Sequence, residues 1–170
     1  MADDAVLLHP LEAPVADRLA ALGIAVARYA HPPIATADSA GEHWAAIDAV
    51  HCKNLFLRNQ KGNRHYLVIL EHTRRADLRA VADQIGDGKL SFASPERLLT
   101  YLGVTPGSVS PFGLIHDRAQ HVRVFLDRGL RQATRISFHP NINTRTYVVA
   151  FDDFLRFLAS TGNDVRDVQV

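Results

Sequence analysis

Three separated places in the sequence hold residues able to act on a carbonyl group. Lys53 and Asn54 lie side by side, His139 opens the turn "HPNINT", and residues 103 to 113 read "GVTPGSVSPFG". In that last stretch the glycines permit positive φ and close backbone approach, while Pro106 and Pro111 remove conformational freedom. The N–H groups of Gly107, Ser108, Val109 and Ser110 are then held in fixed directions. Preset donors suit an ester carbonyl whose oxygen gains charge during attack, and one such donor is worth roughly 3 kcal/mol. A plain connector between two elements is the competing reading of the same residues.

The other reactive side chains give weaker signals. Cys52 beside Lys53 suggests a nucleophile activated by a lysine. If 51 to 58 is a strand, however, neighbours point to opposite faces, so Cys52 goes with Asn54 and Phe56 and Lys53 with Leu55 and Leu57. Cys52 is therefore read as a small buried hydrophobe. Lys53 leaves on an apolar side, where it must reach water, meet a carboxylate or look into a pocket. Asn54 has the alternative of sitting on a solvated face. The nine histidines show no metal-binding spacing, so neither metal nor cofactor is expected. His139, next to a proline and two asparagines, also fits a turn histidine bonded to backbone. No P-loop, GxGxxG or GxSxG motif is present.

These residues must be placed by a mixture of helices and strands. The spacing of Leu11, Val15, Leu19 and Leu22 predicts a helix ending near Gly23, followed by a short strand "AVARYAH". A proline-stiffened loop, "HPPIAT", leads to a helix capped near Thr36 or Asp38. "HCKNLFLRN", the turn "QKGN" and "RHYLVILE" read as a β-hairpin. Helices follow at "RRADLRAVADQIG" and "SPERLLTYLG", the second with Ser94 as N-cap and Pro95 at its first position. After the loop come strands "HVRVFLD", "ATRISFH" and "TRTYVVAF" and a final helix "DDFLRFLAST". The order lacks regular βαβ alternation, which predicts an α+β fold with several antiparallel pairs.

Composition limits the classes available. A chain of 170 residues, 47% hydrophobic and 22% charged, is ordinary for one globular domain spanning 1–170. No apolar run approaches the ~18 residues of a membrane span, and the first residues lack the pattern of a signal peptide. One cysteine excludes an internal disulfide, so a cytoplasmic setting is expected. Net charge is +1, but residues 51–79 carry seven bases against two acids. That patch is either a solvated face or an attraction for a polyanion.

Taken in order, "HPPIAT", "KNLFL", "YLVIL", "LSFAS", "YLGVTPGSVSPFGLI", "VFLD" and "FHPNINT" resemble the YbaK/ProX-type family of aminoacyl-tRNA editing domains, and within it the freestanding ProX branch. The resemblance covers about residues 12–162. It implies a compact α+β domain with a mixed, largely antiparallel, barrel-like sheet surrounded by helices. It also implies hydrolysis of the ester of a mischarged tRNA, for this branch alanine on proline tRNA. Related branches remove cysteine, and a scaffold that binds tRNA or synthetase without catalysis is the alternative from another class.

The resemblance carries an invariant lysine onto Lys53, its companion onto Asn54, and a GxxxP loop onto Gly107, Ser108, Val109, Ser110 and Pro111. The histidine of the late turn falls on His139, with Asn141, Asn143 and Thr144 completing it. Lys53, Gly107 and His139 are accordingly expected to act on the ester. Asn54, residues 108–111 and Asn141 are expected to hold substrate, with Ile34, Thr36 and Val109 as walls of the amino-acid pocket. The partner implied is the acceptor end of tRNA, delivered by prolyl-tRNA synthetase or an elongation factor, with no membrane involved.

Overall fold

The computed structural model describes residues 7–34 and 40–170. The amino-terminal helix α1 (Ala13–Ala21) buries Val15, Ala16 and Leu19 and is followed by Gly23 at φ +69°. Strand β1 (Ala27–Ala30) leads to a single helical turn, α2 (Gly41–Trp44), which has Ala40 at its N-cap and no side-chain cap. The longer helix expected after "HPPIAT" is thus reduced to one turn, and the caps proposed at Thr36 and Asp38 lie outside the described residues.

The hairpin forms as its turn chemistry dictates, from β2 (Val50–Asn59) and β3 (His65–Glu71). Helix α3 (Leu78–Ile85) starts at Asp77, whose carboxylate accepts from the N–H groups of Arg79 and Ala80, and stops at left-handed Gly86. After β4 (Leu90–Phe92), helix α4 (Pro95–Leu102) uses Ser94 and Gly103 in the same way. A 3₁₀ helix spans Pro111–His116. Next come β5 (Arg123–Asp127), a second 3₁₀ helix at Arg128–Gln132, β6 (Arg135–Phe138) and β7 (Arg145–Ala150). Helix α5 (Phe151–Thr161) and strand β8 (Val165–Val168) close the chain.

All eight strands join one mixed sheet on the path β1-β7-β6-β2-β3-β5-β8, with β4 also on β2. Four pairings among the described residues are antiparallel and three, β2 with β6, β3 with β5 and β5 with β8, are parallel. The β8 strand lies beyond the expected core of 12–162; it is made by pairing with β5, with Val168 buried.

β2 is the hub. β3 lies along one of its edges from Cys52 to Arg58. The opposite edge is shared by β6, at Val50 and His51, and β4, from Leu57 to Asn59. Among the described residues, the stretch between them has no strand partner on that edge. Both faces of β2 are covered. Cys52 and Phe56 enter the main core with α1, α4 and α5, whereas Leu57, with Leu55 packed beside it, joins a second cluster under α3. The solvated face considered for Asn54 does not exist.

Candidate active site

The glycine-rich loop is fastened to β2 by a side chain. Asn54, half-buried on β2, donates its Nδ2 to the main-chain carbonyl of Val109 at 3.2 Å. From the other side Asn141, 1% exposed and at φ +65°, directs its Nδ2 to the carbonyl of Phe112 at 3.5 Å. Both amides leave a buried Oδ1 without a hydrogen-bond partner. The two asparagines therefore clip the loop at its middle and its end.

Within the loop the backbone is shaped as the composition suggested. Gly107 sits at φ +90°, a region closed to side chains with a Cβ without strain. The Ser110 hydroxyl accepts from Phe112 N–H at 3.1 Å and caps the 3₁₀ helix that begins at buried Pro111. Gly113 packs so closely on α4 that an added Cβ would meet the Leu102 carbonyl oxygen at 2.8 Å. The Ser108 N–H is already given to Thr105 O at 3.1 Å, which removes it from the expected donor set. Among the described residues, the N–H groups of Gly107, Val109 and Ser110 have no protein acceptor.

Lys53 and His139 both lie just beyond the short parallel ladder that joins β2 to β6. In the parallel β2–β6 pair, Val50 lies opposite Ile136 and His51 opposite Ser137. The ladder ends there; Lys53 follows His51 by two residues along β2, and His139 follows Ser137 by two residues, just past the end of β6. Lys53 is half-buried on the face that carries His51. His139 donates Nδ1–H to the Arg145 carbonyl at 2.8 Å, so its Nε2 carries the lone pair in the neutral ring. Burial, reinforced by nearby His31, holds its pKa below the ordinary histidine value, although the Arg145 bond opposes this. His139 is thus neutral at physiological pH.

Around these two lies an aromatic and imidazole cluster that the sequence did not reveal. Trp44 stacks on His51 at 4.7 Å with a 7° interplanar angle and meets His72 edge-on at 5.0 Å. His51 accepts from the Ser137 hydroxyl and donates toward Ile47 O. Its pKa is lowered by burial. His31 lies 5.8 Å from His139, accepts from Thr146 Oγ1 at 2.8 Å and donates to Pro32 O. The nine histidines are the sequence signal of this cluster, although their spacing matches no metal motif. Among the described residues no group of three or more His, Cys, Asp or Glu is placed to hold a metal ion.

The expected pocket walls are less united. Ile34, 2% exposed, packs with Ala40, Trp44, Ile47 and Val148 and is tied by its N–H to Asn143 O at 3.0 Å. Val109 instead packs against the main core. The two sit on different clusters flanking β2, and Thr36 lies outside the described residues. Cys52 is buried, with its thiol pKa pushed up by desolvation and then by Glu71. That is the state of a packed hydrophobe and the opposite of an activated nucleophile.

The arrangement offers a cation, a neutral imidazole and main-chain donors with no acceptor among the described residues. It suits attack by water on an already activated acyl group. Comparisons with known proteins agree. The family model described as "Aminoacyl-tRNA editing domain" matches residues 31–157. Prolyl-tRNA editing protein ProX of Acetoanaerobium sticklandii is 41% identical over 69% of this chain and 72% of its own. Prolyl-tRNA synthetase associated domain-containing protein 1 of Bos taurus is 34% identical over 91% of this chain and 92% of its own. A solved structure described as a candidate trans-editing enzyme for prolyl tRNA synthetase shares the fold, with TM-score 0.71 and 24% identity over 96% of this chain and 99% of that one.

Proposed function

The chain belongs to the aminoacyl-tRNA editing domain family, and on that premise we propose that it hydrolyses the ester of mischarged proline tRNA in trans, with alanine as the preferred acyl group. The observation that supports the reading is that the glycine-rich loop is tied by Asn54, the neighbour of Lys53 on β2, and by Asn141, in the turn that begins at His139. An aminoacyl ester is already activated, so positioning a water and stabilising the oxyanion supply most of the required catalysis.

In this mechanism the main-chain N–H groups of Gly107, Val109 and Ser110 receive the carbonyl oxygen as it gains charge. Lys53 places positive charge by the ester or the terminal phosphate. Neutral His139, with Nε2 unprotonated, accepts a proton or a hydrogen bond from the water or from the terminal ribose. The vicinal ribose hydroxyl orients the attacking water. Asn54 and Asn141 serve the substrate by holding the loop in place.

Selectivity follows from size. A pocket built for proline rejects alanine weakly, since a missing methylene is worth only about 1–3 kcal/mol, so a second, smaller site is needed. Ile34, Thr36 and Val109 are proposed as its walls. The substrate places the work in the cytoplasm, with delivery by prolyl-tRNA synthetase or elongation factor. Removal of cysteine or another small amino acid is the second reading within the same chemistry.

The test is deacylation of proline tRNA charged in turn with alanine, cysteine, serine and proline, with wild-type protein and Lys53→Ala. The expected result is release of alanine by the wild type and loss of at least ~100-fold in the variant, the scale of a removed transition-state contact. Wild-type rates in Lys53→Ala would remove the lysine from the mechanism. Binding of tRNA without release of any acyl group would favour a non-catalytic scaffold.

A further inference from the structure

The tip of the β2–β3 hairpin and the turn after α3 together enclose a groove of about 460 Å³, lined by Asn59, Gln60, Lys61, Arg64 and Asp87 among others. A second depression, holding Arg58 and Lys89, adjoins it at Gln60. Lys61, Arg64 and Lys89 are exposed, and Arg58 donates only to the carbonyls of Asn59 and Gln60. The one carboxylate, Asp87, accepts from the Tyr66 hydroxyl and stands 3.9 Å from Arg64. Four cations thus face one acid that is already engaged.

The tip is also rigid. Asn59 Oδ1 accepts from the N–H groups of Asn63 and Arg64 at 3.1 and 3.2 Å. Arg97 of α4 donates to Gly62 O at 2.7 Å. A cationic surface with its backbone fixed in advance loses little freedom when it meets a partner.

We propose that this groove binds the phosphate backbone of the tRNA, at a point removed from the scissile ester. The inference rests on the aminoacyl-tRNA reading above. Lys53 and Asn59 are six residues apart on one strand, about 20 Å at 3.3 Å per residue. A contact so far from the ester falls on nucleotides beyond the terminal one. The lining is guanidinium, ammonium and amide, with no aromatic surface on which a base could stack, so it reads phosphate rather than sequence. The groove contributes affinity and orientation, and tRNA identity is read elsewhere.

The experiment compares wild type with Lys61→Glu/Lys89→Glu on two substrates, alanyl proline tRNA and alanyl-adenosine, and measures binding of the uncharged tRNA over a range of salt. Both side chains are exposed, so thermal melting should match the wild type. The expected result is at least a tenfold rise in KM and Kd for tRNA, with the rate on alanyl-adenosine unchanged. The milder Lys61→Gln/Lys89→Gln should lower the slope of log Kd against log salt by about 2, one for each lost phosphate contact. Unchanged tRNA affinity and salt slope would overturn the groove while leaving the hydrolytic reading standing. Weakened tRNA binding by a protein that hydrolyses neither substrate would support the groove and sink the deacylase.

Discussion

Asn54 holds Val109: a strand side chain donates to a loop carbonyl at 3.2 Å and ties the glycine-rich loop to β2. Removing that amide in Asn54→Ala deletes one hydrogen bond, worth about 1 kcal/mol of stability. The loss of loop position should cost more, on the order of 10- to 100-fold in kcat on alanyl-tRNA. Single-turnover deacylation beside a thermal melt separates the two effects. A large fall in melting temperature with kcat intact would assign Asn54 to stability alone.

Gly107→Ala places a Cβ at φ +90° and should cost roughly 1–3 kcal/mol in backbone strain, with a fall in deacylation that Ser108→Ala does not share. Ser110→Ala should lose about 1 kcal/mol of stability through the missing cap to Phe112, while keeping most of its activity. Urea unfolding and initial rates on the three variants test whether the loop acts through its main chain. Inactive Ser108→Ala would point to the hydroxyl.

Acid should unfold the protein through His65. This fully buried ring accepts from Arg97 and donates Nδ1–H to His121. Burial, then the neighbouring His121, Arg97 and Arg58, lowers its pKa to about 4, with Asp117 opposing. Below pH 6.5 the unfolded chain takes up a proton that the folded state refuses until about pH 4. Stability should therefore fall across that window by up to about 1.4 kcal/mol per pH unit. Urea midpoints from pH 7 to 4 should show the decline, and His65→Gln should flatten it. The same steep slope in the variant would assign it to other groups, of which His51 and His139 are shifted in the same direction.

Deleting Val165–Val170 should leave β5 without its outer partner, expose the Val168 site and break the Arg131–Asp167 pair. Burial of one valine is worth about 2 kcal/mol, so a fall of roughly 5–10 °C in Tm is expected once ladder bonds are included. Calorimetry decides, and an unshifted transition would mean that β8 adds no stability.

Much of this architecture was legible because it is local. Asp77 with Gly86, and Ser94 with Gly103, mark both ends of their helices within a few residues, and the "QKGN" turn identifies its hairpin. β8 was hidden because "VRDV" is short and charged and becomes a strand only by pairing with β5. Alternation along β2 separates Cys52 and Phe56 from Leu55 and Leu57, whereas the solvated face open to Asn54 as one alternative is closed because two cores meet on this strand. The site divides in the same way. Lys53, Asn54, His139 and the loop were visible as residue types in order. The imidazole and indole rings around them depend on a register that brings together residues 31 to 139, which spacing along the chain does not encode.

The unpaired interval on β2 separates two arms of the sheet, β7 and β6 on one side and β4 on the other. A molecule seated there acts as a staple across a seam. Occupancy by a non-hydrolysable alanyl-adenosine analogue should then slow amide exchange at Ile136–Phe138 and Leu90–Phe92 together, so that two segments of the backbone far apart in sequence report one binding event.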